Sequence, residues 1–174
     1  MNRDYDEPKF IDVVSCENHG TETEILAEIK GLCQDEPFAV LATQGEGQPY
    51  LSLISFAISE NLRQIAFSTP SQTRKVTLIS GNDKVSLMID NRSRQPESIN
   101  LICGLTITGK ARVLDEPDEI NKWGRALTAK HSYLKRFVES TTSNLILVEA
   151  IRFFYVRRFQ EVYQWTPGNS SESP

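Results

Sequence analysis

The sequence predicts a mainly β protein with flanking helices, in which six antiparallel strands close into a small barrel. Three observations support this fold class. About six short apolar or alternating segments follow one another at hairpin spacing, few segments have helical periodicity, and strands and helices do not alternate as β-α-β units do. A barrel of this size is filled by its own side chains, so we expect a ligand to bind outside it or at a subunit contact.

The first element is a helix predicted over residues 22–32. Thr21-Glu22-Thr23-Glu24 matches the capping-box pattern, and apolar residues then recur at helical spacing at Ile25, Ile29 and Leu32. Residues 1–20 are polar and acidic and have no periodicity, which predicts a flexible N-terminal arm.

Six segments are predicted as strands because they are short, apolar or alternating, and bounded by turn residues. They are Phe38–Thr43, Tyr50–Ile58, Gln64–Ser68, Val85–Ile89, Leu105–Val113 and Leu145–Val156. A hairpin loop is predicted at Gln44–Pro49. The fifth strand alternates most clearly, with Leu105 on an apolar face and Thr106 on a polar one, so we expect one face in the core and the other in solvent.

Three further helical segments complete the pattern. One covers residues 72–80, one begins at Pro117 and ends before Lys130, and one lies near residues 134–138. Residues 21–165 are therefore predicted as one domain. Residues 166–174 have nothing to bury and are predicted to be disordered.

Several classes of protein are disfavoured by composition. No apolar run approaches the roughly 18 residues of a membrane span, and the first residues lack the features of a signal peptide, so we expect a cytoplasmic protein without a membrane partner. The three cysteines, Cys16, Cys33 and Cys103, are widely spaced and form no C-x-x-C pair. With only two histidines as well, the sequence indicates neither a disulfide framework nor a metal site.

The charges are unevenly distributed along the chain. The net charge is −4, yet residues 63–112 hold eight Lys or Arg against three Asp or Glu. This basic stretch is where an anionic ligand is expected. The acidic pI near 5.3 and the absence of long basic runs argue against nucleic acid as the partner, and favour a compact phosphate.

Within the basic stretch, residues 65–75 form the candidate ligand-binding segment. A strand ends in Ser68 and Thr69, a short loop follows, and a helix begins at Thr73-Arg74-Lys75. Two cations at a helix start oppose the macrodipole, a cost that a shared anion removes. Spacing alone leaves two readings open, a phosphate cradle or two solvated charges after a threonine N-cap.

The whole chain helps to choose between them, because the order of its segments resembles the pyridoxamine 5′-phosphate oxidase-like, FMN-binding split-barrel family. The resemblance covers roughly residues 22–156, and the strand-loop-Arg-Lys segment is its most specific part. After an N-terminal helix, the segments that carry it are Phe38–Thr43, Pro49–Phe56, Phe67-Ser68-Thr69 with Thr73-Arg74-Lys75, Lys84–Asp90 and Leu105–Ala111.

The resemblance implies a six-stranded split barrel and a homodimer with one FMN in each of two grooves at the subunit contact. It implies a flavin-dependent oxidoreductase acting on an unidentified small molecule, with no catalytic residue assigned. The implied cofactor-binding residues are Thr73, Arg74 and Lys75 for the phosphate, Phe67, Ser68 and Thr69 from the preceding strand end, and Ser52, Leu53, Ile54 and Ser55 along the flavin.

Two departures argue against a typical pyridoxamine-phosphate oxidase. Those enzymes often have a Gln where this chain has Cys103-Gly104, and they end in an Arg and His signature for the substrate. Here residues 149–159 contain no His. The chain therefore looks more like the uncharacterised members of the family.

Other functions remain open at this stage. The same groove would accept the deazaflavin cofactor F420, and related barrels bind haem or carry flavin without turnover. His131 is then either a haem ligand or an exposed loop residue. Arg92 and Arg94 are either ligand-binding residues or solvated charges, and Tyr163 and Trp165 either cover a flavin ring or pack at a subunit contact.

Overall fold

The computed structural model describes residues 21–95, 98–158 and 161–168. In these residues the helices and strands are α1 (Glu22–Asp35), β1 (Phe38–Gly45), β2 (Gln48–Ile58), β3 (Gln64–Pro70), α2 (Arg74–Gly81), β4 (Lys84–Asp90), β5 (Gly104–Val113), α3 (Pro117–Lys130), α4 (Lys135–Val138), β6 (Ser143–Arg157) and β7 (Glu161–Trp165). The predicted N-terminal arm and most of the predicted tail lie outside the described residues.

All strand pairs are antiparallel, and β1 to β6 close into a barrel in the order β1-β2-β3-β6-β5-β4. The predicted six-stranded antiparallel barrel is confirmed. A seventh strand, β7, pairs with the second half of β6 at Phe153–Arg157 and was missed by the sequence analysis. Its five residues alternate between half-buried and exposed, and contain no apolar run of the kind that marked the other strands.

Most elements begin or end one to three residues from the predicted bounds, and two of these differences have a local reason. The capping box at Thr21 is present, but α1 continues three residues beyond Leu32 to Asp35. The hairpin loop contracts to Glu46-Gly47, both with positive φ, as the turns that fit a twisted β-hairpin require.

The barrel is filled by its own side chains, as expected. Its fully buried residues include Leu41, Phe56, Ile65, Phe67, Leu87, Ile107 and Phe153. Ile29 of α1 and Ile79 of α2 join the same core from the helices. Because α1 leads into β1 and α2 leads into the antiparallel β4, the two helices lie at opposite ends of this strand pair.

A second apolar cluster lies outside the barrel under α3. Trp123 and Leu127 of α3 pack with small and apolar residues of β2, β3 and β6, namely Ala57, Ala66, Leu145 and Leu147. The first half of β6 is therefore buried on both faces, which explains its continuous apolar run.

The end of α3 is tied to the end of α1 by Lys130. Its Nζ donates to the carbonyl oxygens of Cys33 at 2.7 Å and Glu36 at 2.8 Å, and lies 3.8 Å from the centroid of the Phe56 ring. These contacts supply donors to carbonyls at a helix C-terminus and place a cation at its negative end. Burial lowers the pKa of Lys130 to about 8.

His131 follows directly and is buried, so the expectation of an exposed loop residue was wrong. Its Nε2 lies 2.9 Å from the Phe56 carbonyl oxygen, and its Nδ1 lies 3.4 Å from the Tyr133 hydroxyl. A carbonyl only accepts, so we assign the proton to Nε2, which leaves Nδ1 to accept from Tyr133. Burial lowers the pKa of His131, and the nearby Lys130 lowers it further against the effect of the Phe56 bond.

A charge network around the buried Arg157 holds β7 and α1 against β6. Arg157 forms ion pairs with Glu28 of α1 and with Glu161 of β7, and also donates to the Tyr163 hydroxyl at 2.9 Å. The Tyr155 hydroxyl donates to Glu28 at 3.0 Å. The seventh strand is thus fixed by side chains as well as by its backbone pairing.

A β-bulge in β6 shifts the register of its pairing with β5. Thr108 of β5 pairs with Arg152, but the next residue, Gly109, pairs with Ala150, so Ile151 is an extra residue. A Cβ atom on Gly109 would lie 2.5 Å from the carbonyl oxygen of Glu149. The bulge therefore depends on the close backbone approach that only glycine allows here.

No helix in the described residues is both long and apolar enough to cross a bilayer.

We expect Gly109→Ala to lower the free energy of unfolding by about 1–3 kcal/mol, because the new methyl overlaps backbone that cannot move aside. Urea unfolding measures this as a lower midpoint with an unchanged slope. Gly104→Ala is the matched control in the same strand, since its Cβ would meet nothing within 4 Å. Equal stability of the two variants would contradict the close approach.

Stability should also depend on pH through His131. Since the folded pKa lies below the unfolded value, the unfolded state binds the proton first, and stability falls as pH drops below about 6.5. His131→Gln cannot titrate, so its unfolding free energy should lose less between pH 7.5 and 5.5, by at most about 1.4 kcal/mol per pH unit. Parallel profiles for the wild type and His131→Gln would refute this.

Candidate functional site

The candidate site lies where β3 separates from β2. These strands pair over only three residue pairs, Phe56 to Ile58 with Ile65 to Phe67, whereas β2 pairs with β1 over eight. Beyond Phe67, β3 continues as a partner of β6 alone. We call the gap beside the unpaired edge of β2 the split. On the side that faces the barrel interior, every second residue of β2 and of β3 points toward it.

Three side chains meet where β3 passes into α2. Lys75 Nζ donates to the Thr69 hydroxyl at 3.1 Å, and the Thr69 and Thr73 hydroxyls lie 3.4 Å apart. Thr69 is buried, while Thr73 and Lys75 are half-buried. The predicted Thr73-Arg74-Lys75 segment is thus brought together with Thr69, and we call these four residues the cradle.

The start of α2 is electrostatically suited to an anion. Thr73 is the N-cap residue, but its side chain does not cap the helix, and the first turn has no acidic residue. The first turn instead begins with two cations at the positive end of the macrodipole. The free backbone N–H groups of the helix start, the Thr69 and Thr73 hydroxyls, Lys75 and the neighbouring Arg74 together include the donor types that a phosphate requires.

The two cradle cations have no carboxylate partner in the described part of the chain, in contrast to three other cations of the basic stretch. Arg74 instead lies over the Tyr50 ring, with Cζ 5.1 Å from the centroid. The neutralised cations are Arg92 with Asp90, Arg94 with Asp35 and Glu36, and Arg112 with Glu119. Arg92 and Arg94 are ion-paired and largely exposed, which fits the reading as solvated charges better than that as ligand-binding residues.

The four residues implied on β2 do not share one surface. Leu41 of β1 is fully buried and pairs with Ser52, which places Ser52 and Ile54 on the inner side. Leu53 and Ser55 point outward, and Leu53 is 68% exposed. The Ser52 hydroxyl is buried and has no hydrogen-bond partner, which makes it an available polar contact near the split.

The residues implied at the end of β3 also separate. The Phe67 side chain is fully buried in the barrel core, so it can meet a ligand only through its backbone. Ser68 alternates with Thr69 and points to the opposite face, where its register partner is Leu145. Its buried hydroxyl has no partner, but it is not directed toward the cradle.

The remaining candidate residues make contacts with other residues of the fold. Both ring nitrogens of His131 are engaged, so it could ligate haem only by giving up one of these bonds. Trp165 packs edge-on against Phe153 at 5.1 Å between centroids, and Tyr163 binds Arg157. Burial raises the pKa of the Cys33 thiol to about 12, which suits an inert core residue. Cys16 lies outside the described residues, where its surroundings are not defined.

The structure adds a feature that the sequence did not indicate. A cleft of about 980 Å³ lies between the β1–β2 turn and the second half of α2, bordered by Lys84 and Lys110. Its lining does not include the cradle. Across the described residues, no group of three His, Cys, Asp or Glu side chains is arranged to hold a metal ion.

Comparison with solved structures shows the same fold at low sequence identity. A Clostridium acetobutylicum protein related to general stress protein 26, of the pyridoxinephosphate oxidase family, has a TM-score of 0.66 and 18% identity, over 84% of this chain and 96% of that one. A haem-binding protein from Mycobacterium smegmatis has a TM-score of 0.72 and 15% identity, over 82% of this chain but only 57% of that chain. HutZ, the haem storage protein from Vibrio cholerae, has a TM-score of 0.63 and 15% identity, over 80% and 92% of the two chains.

Comparison at the level of sequence identifies the family. No curated protein is matched by this chain. The family model described as pyridoxamine 5′-phosphate oxidase matches residues 25–165, which include every strand of the barrel and the whole cradle. The chain therefore belongs to the pyridoxamine 5′-phosphate oxidase family.

Proposed function

We propose that this protein binds FMN and is a flavin-dependent oxidoreductase acting on a small molecule. The observation that carries the proposal is the cradle. Arg74 and Lys75 stand without a carboxylate partner in the described residues, at a helix start beside two hydroxyls, while three other cations of the basic stretch are neutralised. An anion at this place removes the cost of that arrangement.

The residues present fit the polar parts of FMN. A phosphate would take the guanidinium of Arg74, the ammonium of Lys75 and the hydroxyls of Thr69 and Thr73. The unsatisfied Ser52 hydroxyl would serve a further polar group of the ligand. When bound, the flavin supplies the electron and hydride transfer, while these residues bind and orient it.

The chemistry of the site separates haem from FMN, whereas F420 and FMN are separated only by experiment. F420 also carries a phosphate and would use the same cradle. Haem carries carboxylates and needs an axial ligand, and His131 is occupied by Phe56 and Tyr133. The likeness to haem-binding proteins lies in the fold. The cradle, in contrast, favours a cofactor with a phosphate, such as FMN. A visible absorption spectrum with mass analysis of the released ligand distinguishes the three.

The substrate is not proposed to be pyridoxamine phosphate. The segment at residues 149–158 runs through β6 and contains Arg152 and Arg157 but no His. Arg157 is already committed to Glu28 and Glu161. We propose an unidentified small molecule as the substrate instead. The cytoplasmic location expected from the sequence stays a prediction.

The outer face of the barrel supports a homodimer with the site at the subunit contact. One cross-strand row runs Leu53, Val40, Met88, Thr106 and Phe154 over five strands. Leu53 is 68% exposed and Met88 44%. A second copy would bury this row, and β2 would then contribute to the contact and to the split at once.

The cofactor proposal predicts a selective loss of affinity. Arg74→Ala should weaken FMN binding by roughly 10- to 150-fold, because it removes a charge-assisted contact of about 1.5–3 kcal/mol. Lys75→Ala should weaken it less, and added salt should reduce both losses. Flavin fluorescence titration measures the affinities, and melting of the apo proteins should be unchanged.

Lys110→Ala is the matched control for this titration, since Lys110 belongs to the same basic stretch but borders the separate cleft. Its FMN affinity should equal that of the wild type. An Arg74→Ala variant that binds FMN normally would move the site elsewhere. Apo melting temperatures lowered by many degrees would indicate that the cations are structural.

The dimer proposal predicts that a charge on the outer row separates the subunits. Sedimentation of the wild type at micromolar concentration should give about twice the chain mass of 19.7 kDa. Leu53→Asp should shift this to the monomer and weaken FMN binding, because burying an unpaired carboxylate is costly. Ile120→Asp, at an exposed apolar position on α3, should stay dimeric. A wild-type monomer that retains stoichiometric flavin would refute the two-subunit site.

A further inference from the structure

Arg74 is held by an aromatic ring and by no acid among the described residues. Its side chain is exposed and long, and it contacts the Tyr50 ring, with 5.1 Å from Cζ to the centroid. A carboxylate partner would order the guanidinium but would also neutralise it and occupy its donors. An aromatic face attracts the cation and leaves its charge in place for an anion.

Both members of this pair are anchored. Tyr50 lies opposite Thr43 in the β1–β2 hairpin, and the buried Thr43 hydroxyl donates to the Tyr50 carbonyl at 3.3 Å. Four residues after Arg74, on the same face of α2, Leu78 packs against Gly45 of this hairpin. A Cβ on Gly45 would lie 2.5 Å from Leu78 Cδ2, so helix and hairpin are in close contact there. The hairpin therefore fixes the first and second turns of α2 together.

We propose that Tyr50 is a positioning residue for the anion site: its ring holds the Arg74 guanidinium at the start of α2 before the ligand arrives. An unrestrained arginine side chain loses rotamer freedom when it becomes fixed on a ligand. A side chain already restrained by the ring loses less on binding, which increases affinity. The inference rests on the proposed phosphate site and adds the residue that organises it.

The test compares Tyr50→Leu with Tyr50→Phe, which keeps the ring. Tyr50→Leu should weaken FMN binding about two- to fivefold, the effect of an exposed cation-π contact, and Tyr50→Phe should stay near the wild type. Riboflavin has no phosphate, so its affinity should be the same in all three proteins. In an Arg74→Ala background, Tyr50→Leu should have no further effect on FMN affinity.

A second measurement needs no cofactor. In the NMR spectrum of the apo protein, the Arg74 side-chain signals should be displaced by the aromatic ring in the wild type and in Tyr50→Phe, and should lie at ordinary values in Tyr50→Leu. Unshifted signals in the wild type would overturn the inference. Thermal melting of each variant confirms that it is folded.

The outcomes of the titration distinguish a failure of the positioning role of Tyr50 from a failure of the proposed function. If FMN affinity depends on Arg74 but not on Tyr50, the positioning role is wrong and the proposed function stands. If Tyr50→Leu weakens riboflavin as much as FMN, Tyr50 contacts the flavin ring and its role is direct, which also overturns the inference. If FMN affinity does not depend on Arg74, the proposed function fails and the inference fails with it.

Discussion

The pairing of β3 with β6 is the interaction on which the rest of the structure depends. Seven residue pairs, from Gln64 with Glu149 to Pro70 with Ser143, close the barrel. The same pairing carries the end of β3 away from β2 and opens the split. Since β3 leads through a short loop into α2, closure also sets the cradle at the edge of the split. The site is thus a consequence of how the barrel closes.

Local signals in the sequence predicted most of the fold. The capping box at Thr21 and the alternation of β5 act over a few residues, so both could be recognised without a partner. β7 and the burial of His131 could not, because they depend on contacts with distant residues. β7 owes its position to β6 and the Arg157 network, and His131 is buried by its bond to Phe56, 75 residues earlier.

The same distinction applies to the site. The helix start at Thr73-Arg74-Lys75 was predictable because its signals are local, and two cations there are an unfavourable pattern that an anion would stabilise. The binding role of these residues stays a prediction. Tyr50 was not, since nothing in the spacing connects it with Arg74. The contiguous set on β2 was too coarse for another reason. Alternation along a strand directs Ser52 and Leu53 to opposite faces, so one run of residues serves two surfaces.

This double use of β2 links the cofactor site to the proposed subunit contact. The inner residues of β2 face the split, and its outer residue Leu53 belongs to the cross-strand row on the outer face of the barrel. α2 has only eight residues, and its first turn opposes the macrodipole, so its order depends on packing through Ile79 and Leu78 and on what lies at its N-terminus. An anion bound there would favour the folded helix. If the proposed cofactor and the proposed dimer both form, cofactor binding and association would stabilise neighbouring parts of the molecule.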